Sequence, residues 1–63
     1  MTYYFVFIFQ SHKGIGYGNT TLDITGKITG KTLAEVQDYI YNENKDEWTQ
    51  KPIILNWRKL EEE

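Results

Sequence analysis

The stretch YYFVFIFQ, residues 3–10, constrains the fold more than any other part of this 63-residue chain. Successive side chains of a β-strand point to opposite faces, and here both faces are apolar. A strand of this kind belongs in the centre of a sheet that is covered on both sides. A chain of this length forms one small domain, in which about 60% of the unfolded chain's surface becomes buried. Few residues of such a chain therefore remain to cover the second face of the sheet.

The rest of the pattern predicts two more strands and one helix. Residues 15–24 follow a Ser-His-Lys-Gly turn and are rich in Tyr, Thr, Leu and Ile, which favours a second strand. Residues 32–44 carry the helix signal, because Thr32 and Glu35 match a capping box and apolar residues follow at helical spacing. Residues 53–60 are β-prone again and form the third predicted strand.

These elements predict an α+β fold of order ββαβ, with a three-stranded antiparallel sheet in the order 2-1-3 and one helix packed on one face. The central position removes the apolar first strand from the sheet edge, where it would promote aggregation. Within the helix, Leu33, Val36 and Ile40 form an apolar stripe that either Tyr39 or Tyr41 widens. The whole chain is expected to be a single domain, 1–63, that ends in an acidic tail at 61–63.

The hairpin register predicts which side chains share a face of the sheet. If the turn is centred on His12 and Lys13, Phe9 lies opposite Gly16, so that a phenyl ring covers bare backbone, and we expect the helix to cover this face. A turn of three residues would instead reverse the faces of the second strand. The third strand is expected to add Ile53, Leu55 and Trp57 to the helix side. The opposite, open face is expected to carry Tyr4, Val6, Ile8, Tyr17, Asn19, Thr21, Ile54, Asn56 and Arg58.

Two glycine-containing segments look similar to nucleotide-binding motifs, but the positions of their glycines differ from those that the motifs require. GKITGKT, residues 26–32, ends like a phosphate-binding loop, yet its first glycine is one residue too close to Gly30. GIGYGN, residues 14–19, has Asn19 where a dinucleotide fingerprint needs its third glycine, and a strand-like run follows in place of a helix. Both segments are interpreted as structural.

Composition argues against catalysis and metal binding. The chain has no cysteine, one histidine, His12, and one serine, Ser11. A histidine in a turn, with no second ligand type clustered nearby and no orienting partner, is a poor metal ligand and a poor general base. We therefore expect no enzymatic activity, no cofactor and no metal site.

Charge and hydropathy bear on the class of partner. The net charge of −2 disfavours general binding to nucleic acid phosphates, which relies on clustered Lys and Arg. The N-terminal apolar run has no basic stretch before it and no small-residue cleavage site after it, and it is too short to span a bilayer. We expect no membrane association and a cytoplasmic location.

Four segments of the chain are considered together: the N-terminal YYFVFIFQ, the GYGN of the second strand, the TLAEVQDYI of the helix and the closing PIILNWRKL. With these segments the chain resembles short proteins encoded by phages and prophages of Gram-positive bacteria. The resemblance spans nearly all of the chain and implies a ββαβ fold and a phage context. It carries no catalytic or binding residue over to this chain.

The open face is where function is expected, because its aromatic, arginine and apolar content is typical of protein interfaces. We predict a protein–protein interaction module that either self-associates as a homodimer or binds a host or phage protein. The predicted interface residues are Tyr4, Val6, Ile8, Tyr17, Asn19, Ile54, Asn56 and Arg58. The alternative is a single-stranded nucleic acid binder that stacks bases on Tyr4 and Tyr17 beside Arg58, against which the acidic balance counts.

Overall fold

A computed structural model describes residues 1–60 and has the predicted architecture. The elements in chain order are β1 (Thr2–Ser11), β2 (Gly14–Asp23), α1 (Gly30–Asn44) and β3 (Ile53–Lys59). The strands form one antiparallel sheet in the order β2-β1-β3 with the helix packed against it, which confirms the α+β fold. The predicted acidic tail, 61–63, lies outside the described residues.

The β1–β2 hairpin has the predicted register. Phe9 pairs with Gly16, and Phe7 pairs with Gly18. Both rings lie over their glycines: a Cβ atom at Gly16 would lie 2.5 Å from Cζ of Phe9, and one at Gly18 would lie 2.7 Å from the Phe7 ring. The turn ends at Gly14, whose φ of +128° is in the region that favours glycine.

The hydrophobic core lies between the sheet and α1, around the odd-numbered side chains of β1. Phe5 is fully buried and Phe7 nearly so, and Val36 and Ile40 of α1 pack against them. Full burial of one such side chain stabilises the fold by about 1.5–3 kcal/mol. The helix therefore covers the face that the hairpin register predicted.

Trp48, in the loop between α1 and β3, closes the core at the hairpin end of the sheet. Its ring stacks on that of Phe9, with centroids 4.7 Å apart and an interplanar angle of 10°. The loop is attached to the end of β1, because the Thr49 amide donates a 3.0 Å hydrogen bond to the Gln10 carbonyl. Trp48 is buried as a result.

Helix α1 begins earlier than predicted, and its N-cap is Thr29 and not Thr32. The Thr32 amide donates to the Thr29 hydroxyl and the Thr29 amide donates to the Thr32 hydroxyl, both at 3.2 Å. This reciprocal pair is a capping box one helical turn before the predicted one. Gly30 therefore lies in the first turn of the helix, and Glu35 has no capping role.

The pairing of β3 differs from the prediction at one residue. The register shifts between Val6 and Phe7, because Leu55 is an extra residue that forms a β-bulge. One extra residue reverses the alternation of the side chains on either side of it. Ile54 therefore faces the helix and packs against the core, whereas Ile53 faces away. The predicted faces of both isoleucines were wrong.

Helix α1 leaves part of its own side of the sheet uncovered. Its backbone approaches that of β3 but not those of β1 and β2. Tyr41 packs against the core, whereas Tyr39, the other candidate for widening the apolar stripe, is 52% exposed. A groove therefore separates α1 from β2.

Candidate protein-interaction site

The open face is the side of the sheet opposite α1, and strand pairing decides which residues lie on it. It carries Tyr4, Val6, Ile8, Ile15, Tyr17, Asn19, Thr21, Ile53, Asn56 and Arg58. Seven of the eight predicted interface residues are in this set, and the eighth, Ile54, lies on the helix side against the core. That these side chains form an interface stays a prediction.

Two isoleucines that the sequence analysis did not place on the open face add to its apolar character. Ile15 pairs with Gln10 and Ile53 pairs with Ile8, and the two are 69% and 57% exposed. Ile15 could have been found from the hairpin register that placed Tyr17, because residues two apart in a strand share a face. Ile53 reaches this face only through the bulge, which no sequence signal marks.

The half of the open face nearest the hairpin turn is mainly apolar, with Gln10 and Gln50 at its end. Ile8 lies at its centre, with Tyr17 beside it on β2 and Ile53 beside it on β3. Tyr17 is 73% exposed, and a shallow hollow of about 120 Å³ lies against Ile8, Ile15 and Ile53. An apolar cluster of this kind on a protein surface is typical of an interaction site.

The other half of the open face is polar and aromatic. Val6 lies between Asn19 of β2 and Asn56 of β3. Tyr4 lies beside Arg58, whose guanidinium carbon is 6.0 Å from the centre of the tyrosine ring. This distance is within the range of a cation–π interaction, which favours the position of the arginine side chain over the sheet. The face thus combines an apolar cluster with groups that form hydrogen bonds.

Acidic residues are nearly absent from the open face. Within residues 1–60, strand pairing places one acid there, Asp23, at the end of β2. Its carboxylate accepts a 2.6 Å hydrogen bond from the hydroxyl of Thr2. The other acids of the described chain belong to α1 and the loop after it: Glu35, Asp38, Glu43, Asp46 and Glu47.

The residues considered for chemistry or nucleotide binding lie in different parts of the fold. His12 is exposed in the β1–β2 turn. Residues 26–32 form a loop and the first turn of α1, and residues 14–19 are part of β2. The described part of the chain has no cluster of three His, Asp or Glu side chains suited to a metal ion. Nor does it include a helix with the length and apolarity needed to cross a bilayer.

Comparison with known proteins finds no matching family model, no matching curated protein and no matching solved structure. The surfaces of the chain itself are therefore the basis on which its function is inferred.

Proposed function

We propose that this protein is a non-enzymatic interaction module that self-associates through the open face to form a homodimer. The observation that carries the proposal is the apolar cluster around Ile8, in which Ile15, Tyr17 and Ile53 are each more than half exposed. Transfer of such side chains out of water is favourable by roughly 25 cal/mol per Å² of apolar surface. A second copy of the same face supplies a matching apolar surface.

The distribution of charge favours a second copy as the occupant. Glu35, Asp38 and Glu43 belong to α1, on the other side of the sheet from the open face, and Asp46 and Glu47 lie beside the β1–β2 turn at one end of the sheet. Two negatively charged copies can therefore meet face to face without bringing the carboxylates of α1 together, which limits the repulsion between them. Arg58 is the one basic residue among those that form the open face.

The dimensions of the open face set the expected affinity. Strands of ten, ten and seven residues, spaced about 4.8 Å apart, give a footprint of roughly 450 Å² on each copy. The two copies together bury roughly 900 Å², which is at the low end for specific complexes. We therefore expect a weak dimer with a Kd in the micromolar range, on the order of 1–100 μM.

The dimer is a four-layered α/β/β/α sandwich. Sheets that pack face to face lie about 10 Å apart, with their side chains interdigitating. A twofold axis makes the contact self-complementary, so that each residue of the face meets the same surface on the partner copy. Ile8, at the centre of the apolar half, becomes the most deeply buried residue of the contact.

Sedimentation velocity over a wide concentration range tests this proposal, using two tyrosines on opposite sides of the sheet. Tyr17→Ser removes an aromatic group from the open face, whereas Tyr39→Ser removes an exposed one from the helix side. We expect Tyr17→Ser to weaken the dimer by about tenfold or more, and Tyr39→Ser to leave it unchanged. A monomer at about 0.5 mM, or equal effects of the two substitutions, would contradict the proposal.

A second candidate function, single-stranded nucleic acid binding, is favoured by one observation, the position of Arg58 over the ring of Tyr4. Arginine beside a partly exposed aromatic ring can support base stacking. Titration of a labelled oligothymidylate at low salt distinguishes the two functions. Binding at about 10 μM that is lost in Tyr4→Ser favours this function, and absence of binding leaves self-association as the role of the face.

A further inference from the structure

Strand β2 is one edge of the sheet, and it lacks the features that usually block the addition of another strand. It is 10 residues long, contains no proline or lysine, and has its one charged residue, Asp23, at its end. The other edge, β3, has a bulge at Leu55 and the basic residues Arg58 and Lys59. Since bulges, charges and prolines are what protect edge strands, β2 is the edge that can accept a new strand.

The free edge of β2 presents the backbone groups of its odd-numbered residues. The Ile24 amide donates to the Met1 carbonyl at 2.8 Å, and the Met1 amino group donates back at 3.3 Å. Because hydrogen-bonded and non-bonded pairs alternate along an antiparallel ladder, the even-numbered residues of β2 bond to β1. The amides and carbonyls of Tyr17, Asn19 and Thr21 therefore point outward.

A groove runs beside this edge, between β2 and α1. Its two segments have volumes of about 400 and 490 Å³, and Tyr39 lines both of them. The segment nearer the hairpin turn is lined by the rings of Phe7, Phe9 and Trp48. Gly18 has no side chain that would separate this segment from the strand edge. The groove is thus accessible from the edge and has an aromatic lining.

The helical wall of the groove is acidic. Glu35, Tyr39 and Glu43 are spaced four residues apart and form one stripe of α1 that lines the groove. Within residues 1–60, the one ion pair joins Asp38 to Lys51 and lies off this stripe. Carboxylates beside aromatic rings provide the surroundings that a lysine or arginine side chain binds.

We infer that the β2 edge and this groove together bind an extended, basic segment of a partner protein. The segment adds to the sheet as a fourth strand, and its backbone bonds to the outward groups of Tyr17, Asn19 and Thr21. Side chains alternate along a strand, so every second one points towards the groove. Lysine or arginine at those positions reaches the carboxylates of Glu35 and Glu43. This site borders the open face, but it uses the backbone groups of these residues and the groove on the helix side, whereas the open face uses their side chains.

A second copy of the chain is a poorer occupant of this edge. The residues that β2 directs to the helix side are Gly16, Gly18, Thr20 and Leu22, and none of them is a cation. Pairing of two β2 edges would leave the carboxylates of Glu35 and Glu43 without basic partners from the added strand. Charge complementarity therefore selects a different protein with basic residues at alternate positions.

Titration with a nonapeptide of alternating lysine and threonine tests the charge complementarity. We expect the full chain to bind it with a Kd of about 10–100 μM at low salt, and not to bind a glutamate–threonine peptide. The double variant Glu35→Gln/Glu43→Gln should weaken binding by about tenfold. Asp38→Asn/Asp46→Asn changes the net charge equally but away from the acidic stripe, and it should weaken binding by less than about threefold.

The backbone contribution is tested at a residue whose amide is not used by the fold. Asn19→Pro removes an outward N–H, which an edge strand tolerates, and Asn19→Thr changes the same side chain but keeps the amide. Circular dichroism checks that both variants are folded. We expect Asn19→Pro to abolish peptide binding and Asn19→Thr to preserve it. A lysine–threonine peptide with N-methyl groups at alternate residues should also fail to bind.

Any of the following results would overturn the inference. The first is no binding of the lysine–threonine peptide at about 1 mM. The second is equal weakening by the two double variants, which would reveal general attraction to an acidic protein. The third is undiminished binding of the N-methylated peptide, or NMR evidence that two β2 strands pair with each other.

Discussion

The packing of phenyl rings over glycines makes opposite predictions for the same substitution at two positions. At Gly18, an added Cβ would lie 2.7 Å from two atoms of the Phe7 ring, well inside van der Waals contact. The Phe7 ring cannot move freely, because it packs against the rings of Trp48 and Phe9. The distances between ring centroids are 5.8 Å to Trp48 and 6.3 Å to Phe9. At Gly30, in the first turn of α1, nothing lies within 4 Å of the added atom.

The expected changes in the free energy of unfolding follow from two opposing effects of the added methyl group. Replacement of glycine by alanine in a compatible conformation stabilises a fold by about 0.4–1 kcal/mol, because the unfolded chain loses freedom. Overpacking of a filled core costs about 1–3 kcal/mol. At Gly18 both effects apply, so we expect Gly18→Ala to lower the free energy of unfolding by about 1–2 kcal/mol. At Gly30 only the first applies, and Gly30→Ala should raise it by up to about 1 kcal/mol.

Urea denaturation followed by tryptophan fluorescence measures both changes at one fixed protein concentration. Trp48 is buried beside Phe7 and reports on the packing directly. A double variant, Gly18→Ala with Phe7→Leu, should show a smaller cost than the sum of the two single changes, because the removed ring atoms are those that the new methyl group meets. The reasoning is refuted if Gly18→Ala is as stabilising as Gly30→Ala, or if the two changes in the double variant are additive.

Four further substitutions test other parts of the fold by the same urea assay. Gly14→Ala should cost about 1–2 kcal/mol, because φ at this position is +128°; a neutral effect would contradict the turn geometry. Phe5→Ala removes the side chain at the centre of the core and should lower the free energy of unfolding by about 3–5 kcal/mol, which would leave a small domain largely unfolded. A cooperative transition close to that of the native chain would contradict this description of the core. Thr29→Ala should lower the free energy of unfolding by about 1 kcal/mol, and Glu35→Ala should lower it much less. A larger effect of Glu35→Ala would instead support the capping box of Thr32 and Glu35 that the sequence predicted.

The β1–β2 hairpin was predictable because two independent signals agree on its register. Glycine at every second position of β2 needs bulky partners on the same face, and the odd-numbered residues of β1 supply phenylalanines. A two-residue turn at His12 and Lys13 gives the same pairing. The face covered by α1 followed from this register, and with it the positions of Tyr4, Val6 and Ile8 on the open face.

The prediction failed where the sequence offers two equivalent choices. Residues 53–55 are all apolar, so alternation gives no sign that the bulge lies at Leu55, and Ile53 and Ile54 exchange faces. At the start of α1, Thr29 and Thr32 are three residues apart and each is a suitable N-cap. The tertiary structure decides both cases, because local sequence preferences do not distinguish them.

The way in which α1 is attached explains why a single sheet has two different unoccupied surfaces. The Gln37 side chain donates a 2.7 Å hydrogen bond to the carbonyl of Pro52, a buried residue immediately before β3. Within residues 1–60, no hydrogen bond or ion pair joins α1 to β2. A helix is about 10 Å across and three strands span about 14 Å, so a helix held towards β3 cannot also cover β2. Strand β2 consequently contributes Tyr17 to the open face while its outer edge borders the groove, and a partner strand bound there would extend both faces of the sheet.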